Sequence, residues 1–139
     1  MPKLRVVLDT NVVLRAISSK SNLAKLLDKL YSEEYEAVVS TEIILEYEEK
    51  ITHFYGQTIA KTFLEFLIIL PNTLRIEPFF QLNLITNDVD DNKFVDCAFS
   101  ANAHYIVTDD KHFKVLKDID FPTIPVINAE DFKILLNKL

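Results

Sequence analysis

Three stretches of the chain are apolar without alternation: "LRVVLD" (Leu4 to Asp9), "EAVVS" (Glu36 to Ser40) and "YIVTDD" (Tyr105 to Asp110). Short β-branched runs of this kind predict strands buried on both faces. "IPVINA", from Ile124, predicts a fourth strand and "LRIE", from Leu74, a fifth. Helical spacing fills the intervals: Asn22 to Glu33, Thr41 to Tyr55, Thr58 to Leu70, Asn92 to Ala103 and Glu130 to Lys138. Strands that alternate with helices predict an α/β protein, a three-layer α/β/α sandwich around a central parallel sheet. The pattern has no break, so one domain is expected over residues 1–139.

In such folds ligands collect at the carboxyl ends of the strands, and several predicted strands end near acids. Asp9 closes the first, and Asp109 and Asp110 close "YIVTDD". Ser40 closes the second, just before a helix carrying Glu42 and Glu46. On the helix from Asn92, at about 100° per residue, Phe94, Val95, Ala98, Phe99 and Asn102 form one stripe. Asp91 falls in line with that stripe and is expected to look inward. Asp96 projects away from it, while Asp88 and Asp90 suit capping or the preceding turn. On the helix from Thr41, Ile43, Ile44, Tyr47, Ile51 and Phe54 form the apolar face, with Glu46 just off its border. Glu42 lies nearer the strand end, so periodicity leaves both open. Glu48 and Glu49 read as solvated charges.

Four acids from separate segments thus converge: Asp9, Glu46 or Glu42, Asp91, and Asp110 or Asp109. Two carboxylates ~4 Å apart repel by about 1 kcal/mol in water and about 4 kcal/mol at an effective dielectric of 20, so such a cluster calls for cations. Oxygen-only ligands select hard ions, which makes Mg²⁺ or Mn²⁺ the expected occupant.

Composition narrows the alternatives. Gly56 is the sole glycine, so a P-loop and a dinucleotide-binding fingerprint are both absent. The lone cysteine, Cys97, and the unpaired spacing of His53, His104 and His112 do not resemble a zinc site. His112 is expected at the surface or behind the acids. One cysteine, no signal-peptide pattern and no apolar run of spanning length argue for a cytoplasmic protein and against a membrane. The net charge of -6 weighs against a passive nucleic-acid binder. It weighs less against a metal-loaded enzyme, because bound cations reverse the local sign. The scattered Lys20, Lys25, Lys93, Lys111 and Lys114 are the candidates for phosphate contacts.

Taken in order, "VVLDTNVVLRA", "STEIILEYEEK", "DVDDNKFVDCAFSANAHYIVTDDKHF" and "IPVINAEDF" resemble the PIN-domain family over nearly the whole chain, in particular its toxin branch in toxin–antitoxin pairs. The resemblance implies a Rossmann-like sandwich whose acids bind Mg²⁺ or Mn²⁺ and cleave RNA. It selects Asp9, Glu46 of "ILEY", Asp91 of "DDNKF" and Asp110 of "TDD" as both catalytic residues and metal ligands. Asn11, Thr108 and Asp109 are left as supporting neighbours. It further implies an antitoxin partner and pairing of two copies through helices. The apolar stretch "TFLEFLIIL" from Thr62 is available for such contacts or for the core.

Two rival readings use the same residues. A phosphoaspartyl hydrolase would employ Asp9 as a nucleophile, but it calls for an acid two residues on, where Asn11 stands. A binding module that has kept the fold without the chemistry would be expected to have lost acids, and all four are present.

Overall fold

β1 (Arg5–Leu8) forms the middle of a five-stranded parallel sheet in a computed structural model that describes residues 3–85, 89–120 and 122–139. After it come α1 (Thr10–Ile17), α2 (Ala24–Tyr31), β2 (Glu36–Val39), α3 (Thr41–Tyr55), α4 (Gln57–Ile69) and β3 (Thr73–Arg75). A 3₁₀ turn at Val89–Asp91 leads into α5 (Asn92–Ser100) and β4 (Tyr105–Val107). A 3₁₀ segment at Lys111–Asp118 then precedes β5 (Val126–Ile127) and α6 (Ala129–Asn137). The strand order is β3-β2-β1-β4-β5, and every pairing is parallel.

Consecutive residues of a strand face opposite sides of the sheet. Val6, Val7 and Leu8, then Ala37, Val38 and Val39, are all buried, so helices cover both faces as the unalternating runs predict. The edge strands β3 and β5 are only partly covered. Local chemistry sets the helix ends. Ser40 Oγ accepts from the Ile43 N–H at 3.3 Å and starts α3, and Asn128 Oδ1 accepts from the Asp131 N–H at 2.7 Å and starts α6. Gly56, at φ 93°, makes the turn between α3 and α4 that a side-chain-bearing residue adopts only with strain.

Several details depart from the periodicity. The apolar run after Asp9, to which the pattern assigns no element, is α1, a helix of eight residues and little more than two turns. The last predicted helix-to-strand unit is shorter at both joins. α5 stops at Ser100, leaving Asn102 exposed in a left-handed turn (φ 52°), and β4 stops at Val107. Asp96, expected to project outward, is buried, and its Oδ1 accepts the Leu82 N–H at 3.0 Å. The cause is the irregular segment before α5, which runs back along that helix, with Phe80 against Phe99, Leu82 against Asp96 and Ile85 against Asn92. Asn92 grips the segment through both its amide groups: Ile85 N–H donates to Oδ1 at 2.9 Å, and Nδ2 donates to the Ile85 carbonyl at 2.8 Å. Phe54, expected on the apolar face of α3, is 64% exposed, whereas Ile43, Tyr47 and Ile51 are buried. Within "TFLEFLIIL", Phe63, Leu64 and Leu67 enter the core while Phe66, Ile68 and Ile69 remain exposed. Asp88 lies outside the described residues.

Candidate metal centre

From β1 the chain builds outward through β2 to β3, then returns to add β4 and β5 on the other side of β1. The direction of winding therefore reverses between β1 and β4. In open α/β sheets the connections diverge at such a reversal, and ligands gather at the carboxyl ends of the strands there. Leu8 pairs with Val107 in the sheet register, so Asp9 and Thr108 emerge side by side at that point.

The two strand ends are joined through one hydroxyl. The Asp9 N–H donates to the Val107 carbonyl at 3.0 Å. Thr108 Oγ1 donates to Asp9 Oδ2 at 2.7 Å and accepts the Asp110 N–H at 3.0 Å. Asp9 is 4% exposed, and burial pushes its carboxyl up from 3.8 to about 6. The hydrogen bonds from Thr108 and from the Thr10 amide oppose that rise, and the charges of Asp110 and Glu46 add to it. Asp9, Asp110 and Glu46 therefore share one electrostatic field.

Glu46 reaches this field because Tyr47 anchors its helix. The buried Tyr47 hydroxyl donates to the Leu8 carbonyl at 2.5 Å and fixes α3 against the end of β1. The neighbouring Glu46 accepts the Thr10 hydroxyl at Oε2 and pairs through Oε1 with Lys93 Nζ at 2.6 Å. Glu42, the alternative that periodicity left open, is exposed, and its charge acts on Asp96.

Asp91 ends the 3₁₀ turn before α5 and is buried. Asp110 caps the 3₁₀ segment by accepting the His112 N–H at 2.9 Å. The His112 ring stands between the two acids, with Nδ1 3.5 Å from Asp91 Oδ2 and 3.4 Å from Asp110 Oδ1. One ligand atom from each of Asp91, Asp110 and His112 falls within 4.8 Å of the others. This donor chemistry, carboxylate-rich with one imidazole beside desolvated Asp9, fits a divalent cation such as Mg²⁺ or Mn²⁺.

The supporting residues separate into two groups. Thr108 serves Asp9 directly. Asp109 is turned toward other elements: its Oδ1 accepts the Ala129 N–H at 3.1 Å and its Oδ2 pairs with Arg15 Nη1 at 2.5 Å. Asn11 is exposed and lines a shallow surface with Leu14, Arg15, Phe54 and Tyr55. Among the lysines, Lys93 is drawn in beside Glu46, while Lys20, Lys25, Lys111 and Lys114 are exposed. Thr10 and His112 are the contributors that sequence reasoning did not place in the centre. For Thr10 the available signal was its position directly after Asp9. For His112 it was the spacing of two residues from Asp110, which becomes informative only once the following segment winds as a 3₁₀ turn.

The fold and crevice define an α/β domain with carboxylates gathered where its sheet reverses winding. Residues 5–112 match the PIN domain family model, and the chain belongs to that family. The uncharacterized protein MJ1680 of Methanocaldococcus jannaschii is 31% identical over 128 residues, covering 84% of this chain and 77% of its own. Among solved structures, VapBC2 from Rickettsia felis bound to a DNA fragment from their promoter superposes with a TM-score of 0.62 at 17% identity, covering 90% of this chain and 98% of that one. The PIN domain endonuclease Utp24 superposes with a TM-score of 0.53 at 21% identity, covering 92% and 86%. At these identities the two structural likenesses concern the fold.

Proposed function

We propose that the protein is a divalent-metal-dependent endoribonuclease, hydrolysing RNA phosphodiester bonds as the toxin of a toxin–antitoxin pair. The observation that supports the reading is the electrostatic coupling of Asp9 to Asp110 and Glu46 at the switch point of the sheet, where burial first and then repulsion raise the Asp9 carboxyl to about 6, with Asp91 and His112 clustered beside Asp110. Asp9, Glu46, Asp91 and Asp110 would hold the cation. When bound, Mg²⁺ or Mn²⁺ supplies Lewis acidity, acidifying a water and stabilising negative charge on phosphoryl oxygens.

The chain's own groups supply position. Thr108 and Thr10 orient the carboxylates they touch, and Lys93 sets a positive charge at the edge of an acidic crevice, where a phosphate would otherwise be repelled. No side-chain nucleophile is required. Cys97 is buried and its thiol is pushed up to about 12, so it remains protonated and idle at neutral pH. In the proposed reaction a water oxygen attacks phosphorus in line, the P–O3′ bond breaks, and the departing 3′ oxygen takes a proton. The products are a 3′-hydroxyl and a 5′-phosphate.

The description of Utp24 as an endonuclease supports cleavage. The fold likeness to VapBC2, solved on DNA from its promoter, supports the toxin–antitoxin reading. A partner surface is available on α4, where exposed Phe66 closes an apolar groove shared with Leu27, Tyr31 and Phe63. The proposal places an antitoxin or a second copy of the chain there. Among the described residues no helix is long and apolar enough to cross a membrane, and the proposed site of action is the cytoplasm.

The test is incubation of mixed-sequence RNA with purified protein in Mg²⁺, Mn²⁺ or EDTA, beside Asp9→Asn. Cleavage is expected with either metal, and neither with EDTA nor in the variant. A folded protein that leaves RNA intact under every condition, or a variant that cuts as well as the parent, would overturn the reading.

A further inference from the structure

We infer that His112 is a nitrogen ligand of the bound cation, joining Asp91 and Asp110, and that it biases the centre toward Mn²⁺ over Mg²⁺. The inference rests on the metal-dependent reading above and assigns to that site a residue outside the acid set.

His112 Nδ1 is buried yet finds no hydrogen-bond partner among the described residues. Its distances of 3.4 and 3.5 Å to Asp110 Oδ1 and Asp91 Oδ2 lie beyond the usual N–H···O range of roughly 2.7–3.2 Å. Adjacent donors on an octahedral ion with bonds of about 2.1 Å stand about 3 Å apart. The observed spacing is thus too long for a good hydrogen bond, and a contraction of about half an ångström would bring the donors onto one cation.

Both sides of the triangle are braced. Asp110 fixes the main chain that carries the imidazole by accepting the His112 N–H. Phe113 and Leu116 are buried and hold the 3₁₀ segment against the core. Phe113 meets Phe94 edge-on, with ring centroids 6.4 Å apart, tying this segment to α5 and so to Asp91 at its start. A ring held this way is placed before the cation arrives. Mg²⁺ favours oxygen donors and dehydrates reluctantly, whereas an imidazole is accepted more readily along the series that begins with Mn²⁺. One nitrogen among carboxylates therefore discriminates between two ions that an all-oxygen set treats more alike.

The experiment is a Mn²⁺ titration of purified protein followed by electron paramagnetic resonance, with spin-echo modulation to detect ¹⁴N and with Mg²⁺ as competitor. It is run on the parent and on His112→Gln, both checked for folding by thermal melting in EDTA. The parent is expected to bind Mn²⁺ with ¹⁴N modulation from one imidazole. In His112→Gln that modulation should vanish, Mn²⁺ affinity should fall about tenfold or more, and Mg²⁺ affinity should change less. Bound Mn²⁺ without ¹⁴N modulation in the parent, or equal losses for both ions in the variant, overturns the inference and leaves the metal-dependent reading standing. A folded parent that binds no Mn²⁺ overturns both.

Discussion

Replacing Asp9 by asparagine should stabilise the metal-free protein and remove its response to metal. Burial holds the Asp9 carboxyl at about 6, against 3.8 for an ordinary aspartate. Between those values the native state keeps a proton that the unfolded chain has lost, so unfolding releases it and rising pH favours the unfolded state. The Asp9 contribution to stability is fully present below about pH 4, declines through about pH 6 and is absent above. The span amounts to about 3 kcal/mol at about 1.4 kcal/mol per pH unit. The substituted asparagine would mimic the protonated form at every pH, although its amide nitrogen replaces one acceptor oxygen, which reduces the gain to about 1–3 kcal/mol. For a domain of this length that is roughly 3–10 °C in Tm.

In EDTA at pH 7, Asp9→Asn should therefore melt above the parent, and the gap should close as pH falls to 4. In Mn²⁺ at a hundred times its Kd the parent should gain about 2.7 kcal/mol that the variant does not, so that the order of melting reverses or closes. Thermal and urea melts of both proteins across pH 4–8, with and without metal, measure all of this. A variant destabilised by the same amount at pH 4 and pH 7 in EDTA would refute the reasoning, since it would mean that the Asp9 charge carries no burial penalty.

Thr108→Val removes the hydroxyl that donates to Asp9 and accepts from Asp110, at similar volume. Urea unfolding should show a loss of about 1–3 kcal/mol. Lys93→Met leaves Glu46 without its cation, and the pair is largely shielded from solvent; the expected loss is about 2–4 kcal/mol in EDTA, together with a tighter apparent Kd for Mn²⁺ by titration. Asp109→Ala breaks an exposed pair with Arg15 and one bond to the start of α6. It should lower stability by about 1 kcal/mol and leave the Mn²⁺-induced rise in Tm intact, whereas Asp110→Ala should abolish that rise. Asn92→Ala strips both hydrogen bonds from Ile85 and should speed amide exchange in residues 76–85 while α3 and β1 remain protected.

The elements legible in the sequence are those whose burial follows a simple period. β1 and β2 are buried on both faces and read as unbroken apolar runs, and α3 spans Thr41–Tyr55 as its helical spacing predicts. The nearness of Asp9 and Asp110 was legible for a related reason: parallel topology sends strand ends to one edge, so the residues that follow β1 and β4 could be placed together before any distance was known. What stayed hidden depends on segments without a period. Asp96 looked solvent-facing because the chain that covers it is irregular, and a helical wheel shows only the residues of its own helix. His112 looked peripheral because nothing in "TDDKHF" announces that the chain turns tightly enough after Asp110 to bring the imidazole back over Asp91. The choice between Asp109 and Asp110 was likewise beyond periodicity, since adjacent residues leaving a strand diverge and only packed neighbours show which way each turns. Arg15 and the start of α6 take Asp109, and the His112 turn takes Asp110. The division of labour between these two neighbouring aspartates is therefore set by α1 and α6, elements that contribute none of the four acids themselves.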